Sequence, residues 1–268
     1  MLKKLKLQRP MAFIDLETTG TRYYSDRIVE FSVLKLSPDG GEEYKSRRVN
    51  PEMPIPREAT AKHGLTNADL EGEPTFRQLA KGICDFVDGC DLSGFNILGF
   101  DLPLLEHEFE RAGVNFSRDG RQIVDSMAIF HMREANDPRN PRTLAAAHLK
   151  FCGKELTNAH SAESDVRASA EILDGQLEKY SDLPCDAAGL HFVCLNHRRH
   201  FVDYVEGKFI WLESGEAAFR FGKYTGRTIR EVAIAYPDYL NWMRGQDFSP
   251  EVKDIIVNAL RGEFPQRH

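Results

Sequence analysis

Apolar runs and helically spaced apolar residues alternate along most of the chain. Short apolar runs bounded by turn residues predict five strands, at 11–15, 27–36, 42–49, 91–95 and 123–125. Apolar residues at helical spacing predict five helices, at 75–87, 102–112, 126–133, 143–152 and 162–180. Three strands followed by alternating helices and strands are typical of an α/β domain with a mixed sheet.

The helical pattern stops at 181–189, where the sequence SDLPCDAAG predicts a linker. The expected division is a first domain at 1–183 and a small domain at 184–268. In the second domain, two short β runs flank 212–216, and two amphipathic segments around 229–233 and 239–243 predict helices. We therefore expect a small α+β C-terminal domain.

Composition limits the class of protein. The chain has 268 residues, of which 41% are hydrophobic and 28% charged, as in ordinary globular proteins. No stretch approaches the roughly 18 uninterrupted apolar residues of a membrane span. The basic N-terminus also lacks the long apolar segment of a signal peptide. Five unevenly spaced cysteines suit a reducing compartment. We expect a cytoplasmic protein with no membrane partner.

The net charge of −6 is a weak argument against a nucleic-acid partner, because total charge speaks mainly to solubility. Residues 189–268 hold 11 Lys/Arg and 10 Asp/Glu, and the rest of the chain holds 24 and 31, so the acidity belongs to the first domain. Residues 217–230 contain four basic residues, no acid and the aromatic residues Phe219, Phe221 and Tyr224. That composition favours phosphate and base contacts, although a solvated hairpin beside a small core is an equal alternative.

Acidic residues occur at three points of the sequence, each of which also has a plain structural alternative. Asp15 and Glu17 end an apolar strand and point to the same face, where unpaired acids are expensive. Asp101 precedes a Leu-Pro helix start, where an alternative role is to cap free amides. Asp165 follows His160 by five positions near the start of another predicted helix. Each element alone is modest, and their joint occurrence is the informative observation.

The motifs FIDLETTG, NILGFDLPLL and AHSAESDV, within residues 10–178, resemble those of the DEDDh group of 3′–5′ exonucleases. The resemblance implies a ribonuclease H-like mixed five-stranded sheet flanked by helices. It also implies metal-dependent release of nucleoside 5′-monophosphates from 3′ ends. The family's four acids, which are both metal ligands and catalytic residues, map onto Asp15, Glu17, Asp101 and Asp165, and its histidine maps onto His160. A sister group has a tyrosine where this chain has Ser161, which disfavours that group.

Carboxylate chemistry agrees with this reading. Two unit charges 4 Å apart repel by about 4 kcal/mol at an effective dielectric of about 20, so clustered acids take up protons or bind cations. Ligation by oxygen alone favours Mg²⁺ or Mn²⁺ over zinc, and two such ions suit an in-line phosphoryl displacement. Asp15 is the expected bridging ligand. His160 suits a general base because an unperturbed imidazole titrates near pH 6.5.

Substrate contacts are implied by the resemblance alone. Family members hold the 3′-terminal nucleotide with residues after the first acids and with an apolar wedge. The matching positions are Leu16, Thr18, Thr19, His63, Leu65 and Phe100. The alternative roles are turn formation for the threonines and core packing for the leucines and the phenylalanine.

The C-terminal segments FRFGKYTGRTIREVA and YLNWM resemble the module that follows the nuclease domain in exodeoxyribonuclease X-type proteins. Cys194, His197 and His200 lack the paired spacing of a structural zinc site, so buried cysteine and surface histidine are favoured. DNA and RNA substrates are not separated by the sequence, because discrimination depends on how a pocket treats the 2′-hydroxyl. Short-RNA degradation and a polymerase-associated binding role remain alternatives. No oligomeric state or protein partner is predicted.

Overall fold

The computed structural model describes residues 2–134, 141–156, 162–203 and 206–267. Within them, the main sheet consists of β1 Met11–Thr18, β2 Ile28–Leu36, β3 Glu42–Arg48, β4 Asp91–Gly94 and β5 Ile123–Asp125. The accompanying helices are α1 Arg57–His63, α2 Asn67–Leu70, α3 Phe76–Phe86, α4 Asp101–Ala112, α5 Ser126–Arg133, α6 Leu144–Cys152, α7 Ala162–Lys179 and α8 Ala187–Arg198. The last part of the chain contains β6 Phe209–Trp211, β7 Ala217–Phe219, a 3₁₀ turn at Gly222–Tyr224, α9 Ile229–Ala235, α10 Pro237–Arg244 and α11 Pro250–Leu260.

The main sheet is mixed, with the strand order β3-β2-β1-β4-β5. β1, β2 and β3 pair antiparallel, whereas β4 pairs parallel to β1 and β5 pairs parallel to β4. β1 is central because its first four side chains are at most 1% exposed and need cover on both faces. This five-stranded sheet flanked by helices confirms the predicted α/β fold class.

Alternation along β1 separates two hydrophobic clusters. The even-numbered residues Ala12, Ile14 and Leu16 pack with side chains of α3 and α4. Met11 and Phe13 pack on the other face with side chains of α7, including Val166 and Ala170. Because side chains of a strand alternate between faces, the later odd-numbered residues of β1 are directed to the α7 face.

The chain divides into two compact units, Met1–Cys194 and Leu195–His268, and the division falls within α8. The sequence analysis placed the domain boundary at 183/184, within the expected linker that α8 partly occupies. In the second unit, β6 pairs antiparallel with β7, and Phe209 lies opposite Phe219. These rings join Leu240 and Met243 of α10 in a core shared with α9 and α11.

None of the helices in the described ranges is both long and apolar enough to cross a membrane.

Candidate metal centre

The end of β1 carries the first two acidic residues. Asp15 lies opposite Ser32 and Glu17 opposite Glu30 in the antiparallel pairing with β2, and the register shifts between Glu17 and Thr18. Both carboxyl groups belong to the β1 face that packs on α7, two residues apart. The strand therefore presents two carboxylates in one direction just before it leaves the sheet.

Asp165 in the first turn of α7 brings the third carboxylate to the same place. Carboxylate oxygens of Asp15, Glu17 and Asp165 lie within 4.8 Å of one another. Asp165 is only 6% exposed, and the next residue, Val166, packs against the β1 face in the hydrophobic cluster. Packing of α7 on the sheet thus fixes the approach of Asp165 to the strand.

Asp101 reaches β1 from the side that β4 leaves open. β4 pairs with β1 only as far as Phe13, although β1 continues along β2 to Thr18. Beyond that point, the Leu16 N–H donates to Asp101 Oδ1 at 3.2 Å. Asp101 is the first residue of α4 and is 5% exposed. Its carboxylate thereby supplies the acceptor that a longer β4 would have supplied to the strand.

The turn before α4 is held by a residue that the sequence analysis did not identify. Asp125, at the end of β5, accepts hydrogen bonds from the Asn96 and Leu98 N–H groups at 3.0 and 3.1 Å. The same carboxylate caps α5 by accepting from the Met127 N–H. Asn96 has a left-handed backbone with φ of 73°, a conformation that asparagine tolerates better than most residues. The sequence signal for Asp125 was its N-cap position before a predicted helix.

Crowding and burial disfavour the charged forms of these acids. The pKa of Asp15 is raised well above its usual value by burial first, and then by the charges of Asp101, Glu17 and Asp165. Burial, followed by the charge of Asp165, raises the pKa of Glu17 to about 7. The pKa of Asp101 is raised to about 8, chiefly by burial, although the Leu16 N–H favours its charged form.

The donor set fits a hard divalent cation. Every ligand atom that the cluster offers is a carboxylate oxygen. Burial first, and then mutual repulsion, raises the pKa values of these acids, and a bound positive ion would offset both effects. The residues that could hold such ions are Asp15, Glu17, Asp101 and Asp165.

The two threonines after the acids are tied into the turn that follows β1. Thr18 Oγ1 donates to the Gly20 carbonyl at 2.6 Å, and Thr19 Oγ1 accepts from the Arg27 N–H at 3.0 Å. The Thr19 N–H also donates to the Arg27 carbonyl. Leu16 is buried in the cluster on the α3 and α4 face. The hydroxyl contacts of the threonines are therefore those of turn-forming residues.

His63, the last residue of α1, lies beside the end of β1. Burial lowers its pKa, and the Thr18 backbone and Glu30 partly offset this effect. His63 Nδ1 accepts from the Leu65 N–H at 3.1 Å. Leu65 is buried in a separate small cluster, whereas Phe100 is half-buried against the α3 and α4 face. Of the six expected substrate contacts, the structure places His63 next to both Thr18 and Leu65.

His160 lies outside the described residues, in the segment between the end of α6 and the start of α7. Its expected role as a general base therefore rests on the motif resemblance alone.

A second group of possible ligands lies between α6 and α7. His148, Cys152 and Glu171 offer atoms within 4.8 Å of one another. Glu171 already bonds His148 Nε2 at 2.8 Å and Lys154 Nζ at 2.9 Å. Burial, and next the charge of Glu171, raises the pKa of Cys152 to about 11, which opposes thiolate ligation. This group is best described as a hydrogen-bonded cluster around Glu171.

Cys194 and His197, for which the sequence disfavours a zinc site, lie in surroundings that do not require a metal. The Asp125 N–H donates to Cys194 Sγ at 3.4 Å, and this cysteine is buried. Burial, with the nearby charges of Arg198, His200 and Arg220, lowers the pKa of His197 to about 4.

Comparison with protein families identifies two matching segments. The family model described as "Exonuclease" matches residues 12–173, which is more than half of the chain. The model described as "Exodeoxyribonuclease X-like C-terminal" matches residues 219–247. The first segment contains all four acids of the cluster, and the second begins at the end of β7 and extends beyond α10.

Curated relatives and solved structures share the first segment. A protein named 3′-5′ exonuclease DinG from Staphylococcus saprophyticus is 26% identical over 176 residues, covering 65% of this chain and 19% of the relative. Its namesake from Staphylococcus aureus (strain bovine RF122 / ET3-1) is 27% identical, with the same coverage. E. coli Exonuclease I in complex with a dT13 oligonucleotide gives a TM-score of 0.55 at 21% identity, covering 65% of this chain and 43% of that one. The chain thus spans about a fifth of DinG and less than half of Exonuclease I.

Proposed function

The chain belongs to the exonuclease family, and we propose that it is a metal-dependent 3′–5′ exonuclease that releases nucleoside 5′-monophosphates from DNA. The observation that carries the proposal is the convergence of Asp15, Glu17 and Asp165 within 4.8 Å, with Asp101 hydrogen-bonded to the same strand. The relatives named 3′-5′ exonuclease support the polarity. Exonuclease I, solved with a dT13 oligonucleotide, supports DNA as the substrate.

The four carboxylates would hold two Mg²⁺ or Mn²⁺ ions. When bound, such ions stabilise the attacking and leaving oxygens of a phosphoryl displacement. Asp15 is the natural shared ligand, because its pKa responds to the charges of all three other acids. Asp101 and Asp165 are buried, so their oxygens would be fixed ligands that help to orient a scissile phosphate when the ions are bound.

His160 would act as the general base that accepts the proton of the attacking water. This role rests on its position five residues before Asp165 in the AHSAESDV motif. An imidazole with an ordinary pKa accepts a proton readily near neutral pH.

The 3′-terminal nucleotide would lie against the end of β1. His63 and Phe100 are half-buried, so part of each side chain remains accessible to a ligand. The other proposed contacts, Leu16, Thr18, Thr19 and Leu65, are buried and would act through backbone groups or side-chain edges. The two half-buried side chains are therefore the first to vary when substrate affinity is measured.

The proposal is tested by digestion of 3′- or 5′-labelled single-stranded DNA, duplex DNA and short RNA in Mg²⁺, in Mn²⁺ and in EDTA. We expect a ladder of products shortened from the 3′ end of DNA, mononucleotide release and no cleavage in EDTA. Cleavage that proceeds from the 5′ end, or persists in EDTA, would contradict the proposal. A strong preference for short RNA would instead favour oligoribonucleotide degradation.

A further inference from the structure

Four aromatic rings of the second unit pack against one another in a row, as two stacked pairs that meet edge-on. Tyr236 stacks on Tyr224 with ring centroids 4.7 Å apart and planes at 25°. Tyr224 packs edge-on against Tyr239 at 4.7 Å, and Tyr239 stacks on Trp242 at 5.4 Å and 28°. We call these four residues the aromatic face. Its centre is nearly buried at Tyr224, while the two ends are exposed.

The local fold explains why these rings meet. Tyr236, Tyr239 and Trp242 are three residues apart and so lie on one side of α10 and its N-cap, while Leu240 and Met243 are buried in the core. Tyr224 comes to them from the 3₁₀ turn, which begins at Gly222 with φ of 70°. A Cβ at position 222 would lie 2.8 Å from the Tyr239 hydroxyl, so the close approach requires glycine.

The rings at the two ends of the aromatic face are too exposed for core packing to account for them. Trp242 is 52% exposed and Tyr236 is 38% exposed. Each ring packs on a neighbouring ring, and the exposed remainder offers aromatic surface to solvent. Stacking on such rings is the usual way in which proteins hold unpaired bases, and it tolerates any base sequence.

Positive charge accompanies the stack. Lys223 Nζ lies 5.3 Å from the centre of the Tyr224 ring. The Arg227 guanidinium lies 5.4 Å from the centre of the Tyr236 ring and donates to its hydroxyl at 3.3 Å. Both cations are exposed, and residues 217–230 contain no acid. Asp238 is the single acid of α10. The charge therefore complements a polyanion.

We propose that the aromatic face binds single-stranded nucleic acid, with bases stacked on Trp242 and Tyr236 and phosphates paired with Lys223 and Arg227. The proposal goes beyond the cleavage chemistry of the first unit and does not depend on it. It also revises the surface expected from sequence, because Phe219 is fully buried in the core and Phe221 packs against that core.

Fluorescence of a single tryptophan tests the stacking directly. The chain has two tryptophans, so Trp211→Phe in the full-length protein leaves Trp242 as the sole tryptophan reporter. Titration with unlabelled oligothymidylate in EDTA, which prevents metal-dependent digestion, should quench the emission. The apparent affinity should weaken as salt increases. Unchanged emission at saturating oligonucleotide would overturn the proposal.

Substitutions at the aromatic face should change binding in a graded way. Trp242→Ala and Tyr236→Ala each should weaken binding of a labelled oligothymidylate by roughly 5- to 150-fold, the usual range for one stacked base. Arg227→Gln should also lower the salt slope by about 1. Circular dichroism checks that each variant is folded. Binding by both alanine variants equal to that of the parent chain would contradict the proposal.

Two controls separate this proposal from its competitors. Arg261→Gln removes one positive charge outside the aromatic face, and Ile234→Ala removes an exposed apolar side chain of α9. Both should bind within about twofold of the parent chain, because neither removes a stacking ring. Loss of oligothymidylate binding in Ile234→Ala, with none in Trp242→Ala, would place the binding surface outside the aromatic face and overturn the proposal. Hydrolysis of a labelled dinucleotide should be unchanged in Trp242→Ala, because this substitution removes none of the acids of the metal cluster. Absence of hydrolysis in every variant would reject the proposed activity and leave the binding result standing.

Discussion

The proposed phosphate-binding regions of the two units differ in the sign of their charge. In the first unit, Asp15, Glu17 and Asp165 place like charges within 4.8 Å, so the cluster is suited to phosphate only with cations between them. In the second unit, Lys223 and Arg227 flank stacked rings and attract phosphate directly. The net charge of −6 therefore describes neither region, because the location of charge decides what each surface binds.

The two regions also differ in how firmly their groups are held. Asp101 and Asp165 are 5% and 6% exposed and are fixed by a strand and two helices, as an oriented reaction requires. Trp242 is 52% exposed at the end of a short helix. Binding without sequence preference tolerates such freedom, whereas positioning of one scissile bond does not.

Asp15→Asn should have the largest effect on the function of the acidic region. We expect metal-dependent nucleotide release to be abolished while the chain stays folded, because the substitution removes the carboxylate that faces all three others. Release of mononucleotides from labelled DNA is the measurement, and circular dichroism checks the fold. Binding of oligothymidylate in EDTA should remain, since the aromatic face is untouched. Retained cleavage would rule out the two-ion site.

His160→Ala should lower the cleavage rate by roughly 10²–10⁴-fold, the usual contribution of a general base. Divalent-ion binding, measured by calorimetry, should be nearly unchanged, because the expected ligands are the four acids. Turnover equal to that of the parent chain would remove His160 from the mechanism.

Arg27→Met tests the anchor of the turn that follows the acidic strand. Arg27 Nε bonds Glu108 Oε1 at 2.7 Å, and the Glu108 side chain is only 1% exposed. Arg27→Met leaves Glu108 with Arg111, whose Nη1 lies 3.4 Å from the same oxygen, so the free energy of unfolding should fall by about 2 kcal/mol, the typical value of one hydrogen bond to a charged group. Urea denaturation measures this loss. Lys81→Met breaks an exposed pair with Asp85 and serves as the matched control, for which we expect no measurable change. Equal effects of the two substitutions would contradict the role of burial.

When metal is removed, repulsion and burial of the acidic residues should lower the free energy of unfolding at neutral and higher pH. The folded-state pKa values of Glu17 and Asp101, about 7 and about 8, exceed the usual values of 4.5 and 3.8. The folded state therefore binds protons more tightly than the unfolded state, and its stability should fall as pH rises from about 4 to about 8. Thermal melts in EDTA should record this fall, and Mg²⁺ should reverse it.

Asp15→Asn sharpens that test by removing one repelling charge. At pH 8 in EDTA, the midpoint of the variant should exceed that of the parent chain by about 2–4 °C for each kcal/mol of repulsion removed. Addition of Mg²⁺ should raise the midpoint of the parent chain more than that of the variant. Identical midpoints for the two proteins in EDTA would show that repulsion does not limit stability.

The sequence predicted those parts of the fold that depend on local periodicity. β5 and α5 begin and end where the apolar pattern indicates, because buried strands and amphipathic helices impose distinct spacings. The convergence of Asp15, Glu17 and Asp165 was predictable from motifs, although only the packing of α7 on the sheet gives their separation.

Other features of the structure depend on tertiary contacts, so the sequence gives only a weak indication of them. α1 and α2 are short and follow a proline-rich connector, and α8 begins inside the expected linker, so none has a long periodic segment. Asp125 resembled an ordinary N-cap, and its bonds to the Asn96 and Leu98 N–H groups arise only when β5 lies beside β4. The aromatic face likewise requires the turn at Gly222 to bring Tyr224 onto α10.

The bond between the Leu16 N–H and Asp101 Oδ1 has a consequence for the thermodynamics of ion capture. A carboxylate that already serves a backbone donor has lost its rotameric freedom during folding, so capturing an ion costs it little further conformational entropy. Glu17 is longer and more exposed, and it bears more of that cost. Shortening the side chain in Glu17→Asp should therefore change the entropy of ion binding more than any change at the start of α4 that preserves this bond.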